Sequence, residues 1–321
     1  MEEAIRNFAK QFEYEPEIKN AEKLGEFEKF VLVGMGGSHL QGEILQAVCP
    51  ALDLVVHRDY GLPKLSENIL KNSLFVASSY SGNTEETISA FEEAIEKGYP
   101  VAVSSIGGTL IELAKQHEVP YVQIPDTGIQ PRSALGFTFK VLAKLTGQEE
   151  ALREAATLAS QLAPEDYEEQ GKKLAATLKG RVPVIYSSRR NEAVAYNWKI
   201  KCNETGKIPA FYNVFPELNH NEMTGYDVTD STRSLVENFH FVFLKDNEDH
   251  PRIQKRMEVL EKQLSRRGLS VEVVNLEGPT QLFKIFSSLL LADWTAFYTA
   301  WQYERDPEQV PMIEEFKKLI S

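Results

Sequence analysis

The chain has 321 residues, 42% hydrophobic and 26% charged, a composition that suits one large globular domain or two of ordinary size. Its formal net charge of −12 and pI near 5.2 argue against nucleic acid or an anionic membrane as partner, since both call for a basic surface. The two cysteines, Cys49 and Cys202, form no CxxC pair, no apolar run reaches the ~20 residues of a membrane span, and the acidic start Met1-Glu2-Glu3 lacks an apolar signal region, so a cytoplasmic protein without disulfides is expected.

Strands are expected at 30–33, 52–56, 74–77, 100–103 and 120–124, with helices near 38–48, 84–97 and 108–117 between them. Their β-branched runs are nearly continuous, which indicates strands covered on both faces and hence a parallel sheet between helix layers. From Ala134 to Leu178 only helical periodicity is present, with a break at Pro164. The second half repeats the theme, with strands at 182–186, 210–212, 239–244 and 271–274 and helices at 190–204, 250–267 and 280–304. Element order, more than residue identity, suggests two doubly wound, mainly parallel α/β domains in tandem. The expected boundaries are 1–146, a helical connector at 147–178, and 179–321.

The richest stretch is Ser78-Ser79-Tyr80-Ser81-Gly82-Asn83-Thr84-Glu85-Glu86-Thr87, between a strand and a helix. The first N–H groups of a helix lack intrahelical partners, and the macrodipole places partial positive charge there. Ser79, Ser81 and Thr84 add hydroxyl donors, so the stretch reads as a phosphate cradle made of neutral groups. The competing reading is an ordinary Ser/Thr helix cap, which accounts for one hydroxyl of the run.

Gly34-Met35-Gly36-Gly37-Ser38 follows the first strand. It departs from the dinucleotide fingerprint, because His39 stands where glycine is wanted and Asp53 opens the next strand instead of ending it. It reads either as a turn whose N–H groups approach a ligand or as a tight strand-to-helix turn. Arg132, in Pro131-Arg132-Ser133, is either an oxyanion partner or a surface residue. Glu204, near the end of a helix beside apolar positions, is either a general base with a raised pKa or a solvated carboxylate. His220, in Pro216-Glu217-Leu218-Asn219-His220-Asn221-Glu222-Met223, is either an acid–base group or an exposed loop residue. The H-E-x-x-H spacing is absent there, the histidines are scattered, and no Walker A sequence, G-x-S-x-G elbow or EF-hand loop occurs.

Together these segments resemble one family. The 79–84 cradle is similar to the phosphosugar loop of sugar isomerase (SIS) domains, flavodoxin-like in their winding, and two such domains in tandem is the phosphoglucose isomerase architecture. Gly34-Met35-Gly36-Gly37-Ser38, Ser79 to Thr84, Pro131-Arg132-Ser133, Asn203-Glu204 and Asn219-His220-Asn221-Glu222 resemble the bifunctional phosphoglucose/phosphomannose isomerases over most of the chain. The resemblance implies isomerisation of fructose 6-phosphate with glucose 6-phosphate or mannose 6-phosphate, with no metal and no cofactor. It implies that Ser79, Ser81 and Thr84 hold the phosphate and that Glu204 moves a proton between C1 and C2. Arg132 and the Gly36 and Gly37 N–H groups, next to Ser38, would stabilise the enediolate, and His220 would open the ring. It also implies a homodimer with a shared active site, the histidine coming from the partner chain.

Thr295 matches the small hydroxyl that the family links to acceptance of the mannose epimer. Gln302 stands where the family carries a lysine that assists ring opening, and glutamine brings a hydrogen bond but no charge. The Ser187-Ser188-Arg189-Arg190 turn of the second half is also poorer in glycine than the family leads one to expect. Two alternatives stay open: another SIS-domain isomerase acting on an amino sugar or pentose phosphate, and a non-catalytic phosphosugar-binding protein.

Overall fold

The computed structural model describes residues 1–320. The chain divides into two compact units, Arg6–Leu162 and the part from Ala163 onward, which Met1–Ile5 joins. The short helix α1 (Glu2–Arg6) leads the chain.

In the first unit, β1 (Lys29–Val33), β2 (Asp53–His57), β3 (Ser73–Ser78), β4 (Val101–Ser105) and β5 (Tyr121–Gln123) form one parallel sheet in the order β2-β1-β3-β4-β5. Every residue of β3 and β4 is buried, as continuous apolar runs require when helices cover both faces. The helices are α2 (Leu40–Val48), α3 (Glu67–Lys71), α4 (Glu85–Glu96), α5 (Gly108–Gln116), α6 (Leu135–Leu145) and α7 (Glu149–Gln161). Helix α4 buries Thr87, Ala90, Phe91 and Ala94, a stripe at helical spacing, and Phe91 joins Phe75, Val101 and Leu110 in one core.

The second unit has β6 (Val182–Ser188), β7 (Phe211–Phe215), β8 (Phe239–Asp246) and β9 (Ser270–Leu276), parallel in the order β7-β6-β8-β9. Its helices are α8 (Glu168–Thr177), α9 (Glu192–Glu204), α10 (Arg233–Val236), α11 (Pro251–Arg266), α12 (Gln281–Gln302) and α13 (Pro311–Ile320). Helix α12 is buried nearly all round and packs on α8 and α9. Gly171 of α8 allows close contact there, since a Cβ on it would lie 2.4 Å from the Trp294 Cβ. Lys201 of α9 reaches Asp293 of α12 at 2.7 Å with both side chains buried. Removing Asp293 would strand the buried Lys201 charge, at a cost of about 3–5 kcal/mol.

All nine expected strands are present, and β7 runs on to Phe215, past its expected end at 212. Residues 147–178, expected as a connector, divide between the units. The buried stripe of α7 (Ala151, Leu152, Ala155, Leu158) packs with α6 and the 3-10 turn Phe8–Glu13, whereas α8 packs on α12. Each of these helices has an apolar face that a free-standing connector could not bury. The break expected at Pro164 is a 3-10 turn, Pro164–Tyr167. Among the described residues no helix is long and apolar enough to cross a membrane.

One buried group makes stability depend on pH. His240, 1% exposed, faces Ser270 across β8 and β9, with Nδ1 2.9 Å from the Ser270 Oγ and Nε2 left without a partner. Burial, helped by the Arg181 charge, lowers its pKa from 6.5 to about 4. The folded state therefore stays neutral where the unfolded chain takes up a proton, so stability present above pH 6.5 is lost as pH falls toward 4. Thermal unfolding between pH 7 and 4.5 should show a falling Tm that His240→Asn flattens; an identical slope in that variant would refute the assignment.

Candidate active site

In a doubly wound sheet, ligands bind beyond the carboxyl ends of the strands where the winding reverses. In the first unit that point lies between β1 and β3, the neighbours from which the order runs outward both ways. Three turns meet there. The turn after β1 includes the 3-10 turn Gly36–Ser38, with Gly36 at φ +54°. The 79–84 loop follows β3, and Gly107 and Gly108 follow β4.

The turns approach too closely for side chains at their contacts. A Cβ on Gly34 would lie 2.6 Å from the Ser38 carbonyl oxygen, and one on Gly37 would lie 2.8 Å from the Arg132 nitrogen. One on Gly82, at φ +75°, would lie 1.8 Å from the Gly107 carbonyl oxygen. Hydrogen bonds then stitch the turns. The Tyr80 N–H donates to the Ser38 Oγ at 2.8 Å, and the Thr109 N–H and hydroxyl both donate to the Asn83 Oδ1 at 3.1 Å. Ser38, expected as a ligand contact, accepts this bond with its buried hydroxyl at the junction between two turns.

Thr84 is the N-cap residue of α4, with extended backbone, yet its hydroxyl does not cap the helix. It lies 2.8 Å from the Ser79 Oγ instead. Ser79 Oγ and Ser81 Oγ accept from the Gly82 and Asn83 N–H groups at 3.1 and 3.3 Å. The first N–H groups of a twelve-residue helix are therefore open to another acceptor, beside three hydroxyls. An ordinary cap would have closed that position.

Arg132 is 3% exposed in the 3-10 turn Pro131–Ser133, against the Gly37 backbone, which removes the surface reading of this residue. Gln11, absent from the expected site, holds this turn. Its Nε2 donates to the Ser133 carbonyl at 2.7 Å, and its Oε1 accepts from the Gly136 N–H at 3.0 Å. Gln41 likewise donates to the Ser38 carbonyl at 2.7 Å and the Ser78 Oγ at 3.1 Å.

The second sheet has the same winding, with its reversal between β6 and β8. Side-chain ion pairs stand at that point. Lys284 reaches Asp246 and Glu248 at 2.8 Å each, Arg190 reaches Glu248 at 2.7 Å, and Asn191 donates to Asp246 at 3.2 Å. The Lys284 and Arg190 bonds hold the Glu248 carboxyl down at about 2. Cations that could hold an anion are already matched, and the carboxylates would repel one. Glycine-poor Ser187-Ser188-Arg189-Arg190 belongs to this ion-paired point.

Glu204 is the last residue of α9 and is half-buried. The Lys207 Nζ donates to its carbonyl oxygen at 2.5 Å and also to the Gln309 carbonyl. His220 closes the 3-10 turn Glu217–His220 and is exposed. Thr295 is fully buried in α12, its hydroxyl donating to the Leu291 carbonyl at 2.7 Å. The Gln302 Nε2 donates to the Ala175 carbonyl of α8 at 2.9 Å, so its amide is engaged in helix packing. Among the described residues no three His, Cys, Asp or Glu side chains gather as a metal site would.

Two parallel sheets of this winding are the architecture of tandem SIS domains, and residues 167–320 match the bacterial phospho-glucose isomerase C-terminal SIS domain. The glucosamine-6-phosphate deaminase structure from Thermotoga maritima shares the fold, with a TM-score of 0.67 at 16% identity over 96% of this chain and 95% of that one. The bifunctional phosphoglucose/phosphomannose isomerase of Caldicellulosiruptor bescii is 34% identical over 100% of this chain and 99% of its own length. The enzyme of that name from Thermoplasma acidophilum is 36% identical over 93% of this chain and 92% of its own. The chain belongs to the bifunctional phosphoglucose/phosphomannose isomerase family.

The glycine contacts separate two kinds of cost. Gly36→Ala meets open space and pays only for its left-handed backbone, about 1 kcal/mol. Gly82→Ala adds collision with the Gly107 carbonyl and should cost at least about 3 kcal/mol. Urea unfolding measures both, and equal losses would contradict the packing of the 79–84 loop on the β4 turn.

Proposed function

We propose that this protein is an aldose–ketose isomerase that interconverts fructose 6-phosphate with glucose 6-phosphate and mannose 6-phosphate through a cis-enediol, without a metal or cofactor. The observation that carries the reading is the uncapped start of α4 beside Ser79, Ser81 and Thr84, in a chain that aligns end to end with relatives bearing that name. A phosphate dianion takes the open N–H groups and the hydroxyls, and the binding energy of this unreacting end aligns the other.

In the open-chain aldose, the Glu204 carboxylate removes the C2 proton. The electron pair forms the C1–C2 double bond, and the C1 carbonyl becomes an enediolate oxygen. Arg132 and the N–H groups of Gly36 and Gly37 stabilise that charge. The C2 hydroxyl proton passes to the C1 oxygen, and Glu204 returns its own proton at C1, leaving a carbonyl at C2 and a hydroxyl at C1. His220 transfers the proton that opens the ring, and Thr295 shapes the space for the C2 epimers. Gln302, bonded to Ala175, supports α12 on α8 and leaves ring opening to His220.

We take the working enzyme to be a cytoplasmic homodimer with a shared active site. The exposure of His220, whose ring makes no hydrogen bond among the described residues, supports a role toward a second chain. Free Cys49 and Cys202 suit a reducing compartment.

Assayed in EDTA, the protein should form fructose 6-phosphate from both aldose phosphates at undiminished rate. Glu204→Gln should lower kcat about 1,000-fold with little change in KM, a loss of roughly 4 kcal/mol of transition-state stabilisation. Loss of activity in EDTA, or a fully active Glu204→Gln, would sink the mechanism. Tight fructose 6-phosphate binding without exchange of the C2 proton into solvent would favour the non-catalytic reading. Turnover of only an amino sugar or pentose phosphate would favour a different SIS-domain isomerase. For the dimer, unfolding and refolding Glu204→Gln together with His220→Asn should restore about a quarter of wild-type activity, because half the dimers then hold one intact site of two. No recovery would place both groups on one chain.

A further inference from the structure

The turn that carries His220 is held by its neighbours, and the His220 ring takes no part. The Arg256 Nη1 of α11 donates to the Asn219 Oδ1 at 3.2 Å, and the Asn221 Nδ2 donates to the Glu217 Oε1 at 2.8 Å. Glu222 reaches furthest into the unit. Its Oε1 accepts from the Tyr186 hydroxyl of β6, and its Oε2 accepts from the Asn213 Nδ2 of β7. Its own N–H donates to the Asn221 Oδ1 at 2.5 Å.

The anchors are rigid. Tyr186 is fully buried, with ring contacts to Phe215, Phe241 and Phe243 between 5.6 and 6.0 Å. Burial raises its hydroxyl pKa far above the ordinary value, so it remains a proton donor to Glu222. Packing alone would be served by an apolar residue at 222, since a half-buried carboxylate carries a desolvation cost. A carboxylate two residues past His220, bridging the register-paired Tyr186 and Asn213 of two neighbouring strands, instead fixes where that turn sits.

We infer that Glu222 is a positioning residue: by bridging Tyr186 and Asn213 it fixes the 217–222 turn on β6 and β7 and sets the place of the His220 ring. This rests on the reading of His220 as the ring-opening group. A charge-assisted pair of bonds gives the turn one orientation where a loop would sample several, and a misplacement near 1 Å can slow a step about 100-fold.

The test is a double-mutant cycle read by kinetics with glucose 6-phosphate, with inhibition by glucitol 6-phosphate, which has no ring to open. Glu222→Gln should lower kcat about 10- to 100-fold while KM and the inhibition constant stay within about twofold. Adding it to His220→Asn should cause no further loss, because it acts through that histidine. The exchange variant N213D/E222Q, which restores a carboxylate–amide pair between the same positions, should recover most of the kcat. Tyr186→Phe removes one bond while keeping the volume and should show the same split to a smaller extent. The inference is overturned by an unchanged kcat in Glu222→Gln or Tyr186→Phe, by losses that multiply in H220N/E222Q, or by a folded N213D/E222Q that stays slow. If His220→Asn itself leaves kcat unchanged, the underlying reading of His220 has failed, which is a separate and recognisable result.

Discussion

The carboxyl edge of the first sheet brings three backbone turns within van der Waals contact, and that close approach governs what the site can be. At Gly34, Gly37 and Gly82 a Cβ would lie under 3 Å from a neighbouring carbonyl or amide, so at those three positions the backbone itself forms the contact. Backbone carries N–H groups and partial charges, so the site favours an anion without recruiting a single lysine. The parallel winding β2-β1-β3-β4-β5 sets the turns side by side, and the glycines let them close up. Gln11, Gln41 and Ser38 then fix the result with buried hydrogen bonds. Rigidity of this kind matters because donors that are already oriented lose little entropy when the ligand arrives.

The two units show what one winding can become. In the first, the reversal point presents hydroxyls and the unclosed start of α4. In the second, Lys284 and Arg190 stand at the reversal point but are consumed by Asp246 and Glu248. A chain of net charge −12 has carboxylates to spare, and cations placed in a crevice are readily matched by them. Neutral donors escape that fate, so hydroxyls and N–H groups can stay open to an anion on an acidic protein. Glu204 closes α9 ahead of β7, and the His220 turn follows the far end of that strand.

Much of this was legible from the residues. Continuous apolar runs such as Leu74-Phe75-Val76-Ala77, alternating with helical patterns, point to strands covered on both faces and hence to parallel sheets. The 79–84 loop announced itself because one cap explains one hydroxyl. Ser38 was less readable, since a hydroxyl in a turn looks the same whether it meets a ligand or another backbone. Gln11 lies more than 120 residues from the Ser133 turn that it holds, and no local pattern marks such a partner. The burial of Arg132 and the bond from Gln302 to Ala175 are quantities that exist only after folding. Glu222 stood in a motif noted for its histidine, and its anchors, Tyr186 and Asn213, come from two other strands.

In the proposed function one crevice, at the carboxyl edge of the first sheet, takes the phosphate. A crystal structure of the protein with fructose 6-phosphate tests it most directly. The phosphate is expected on the first N–H groups of α4, within hydrogen-bond distance of Ser79, Ser81 and Thr84. A phosphate bound instead at the Ser187-Ser188-Arg189-Arg190 turn, with Lys284 and Arg190 released from their carboxylates, would contradict it.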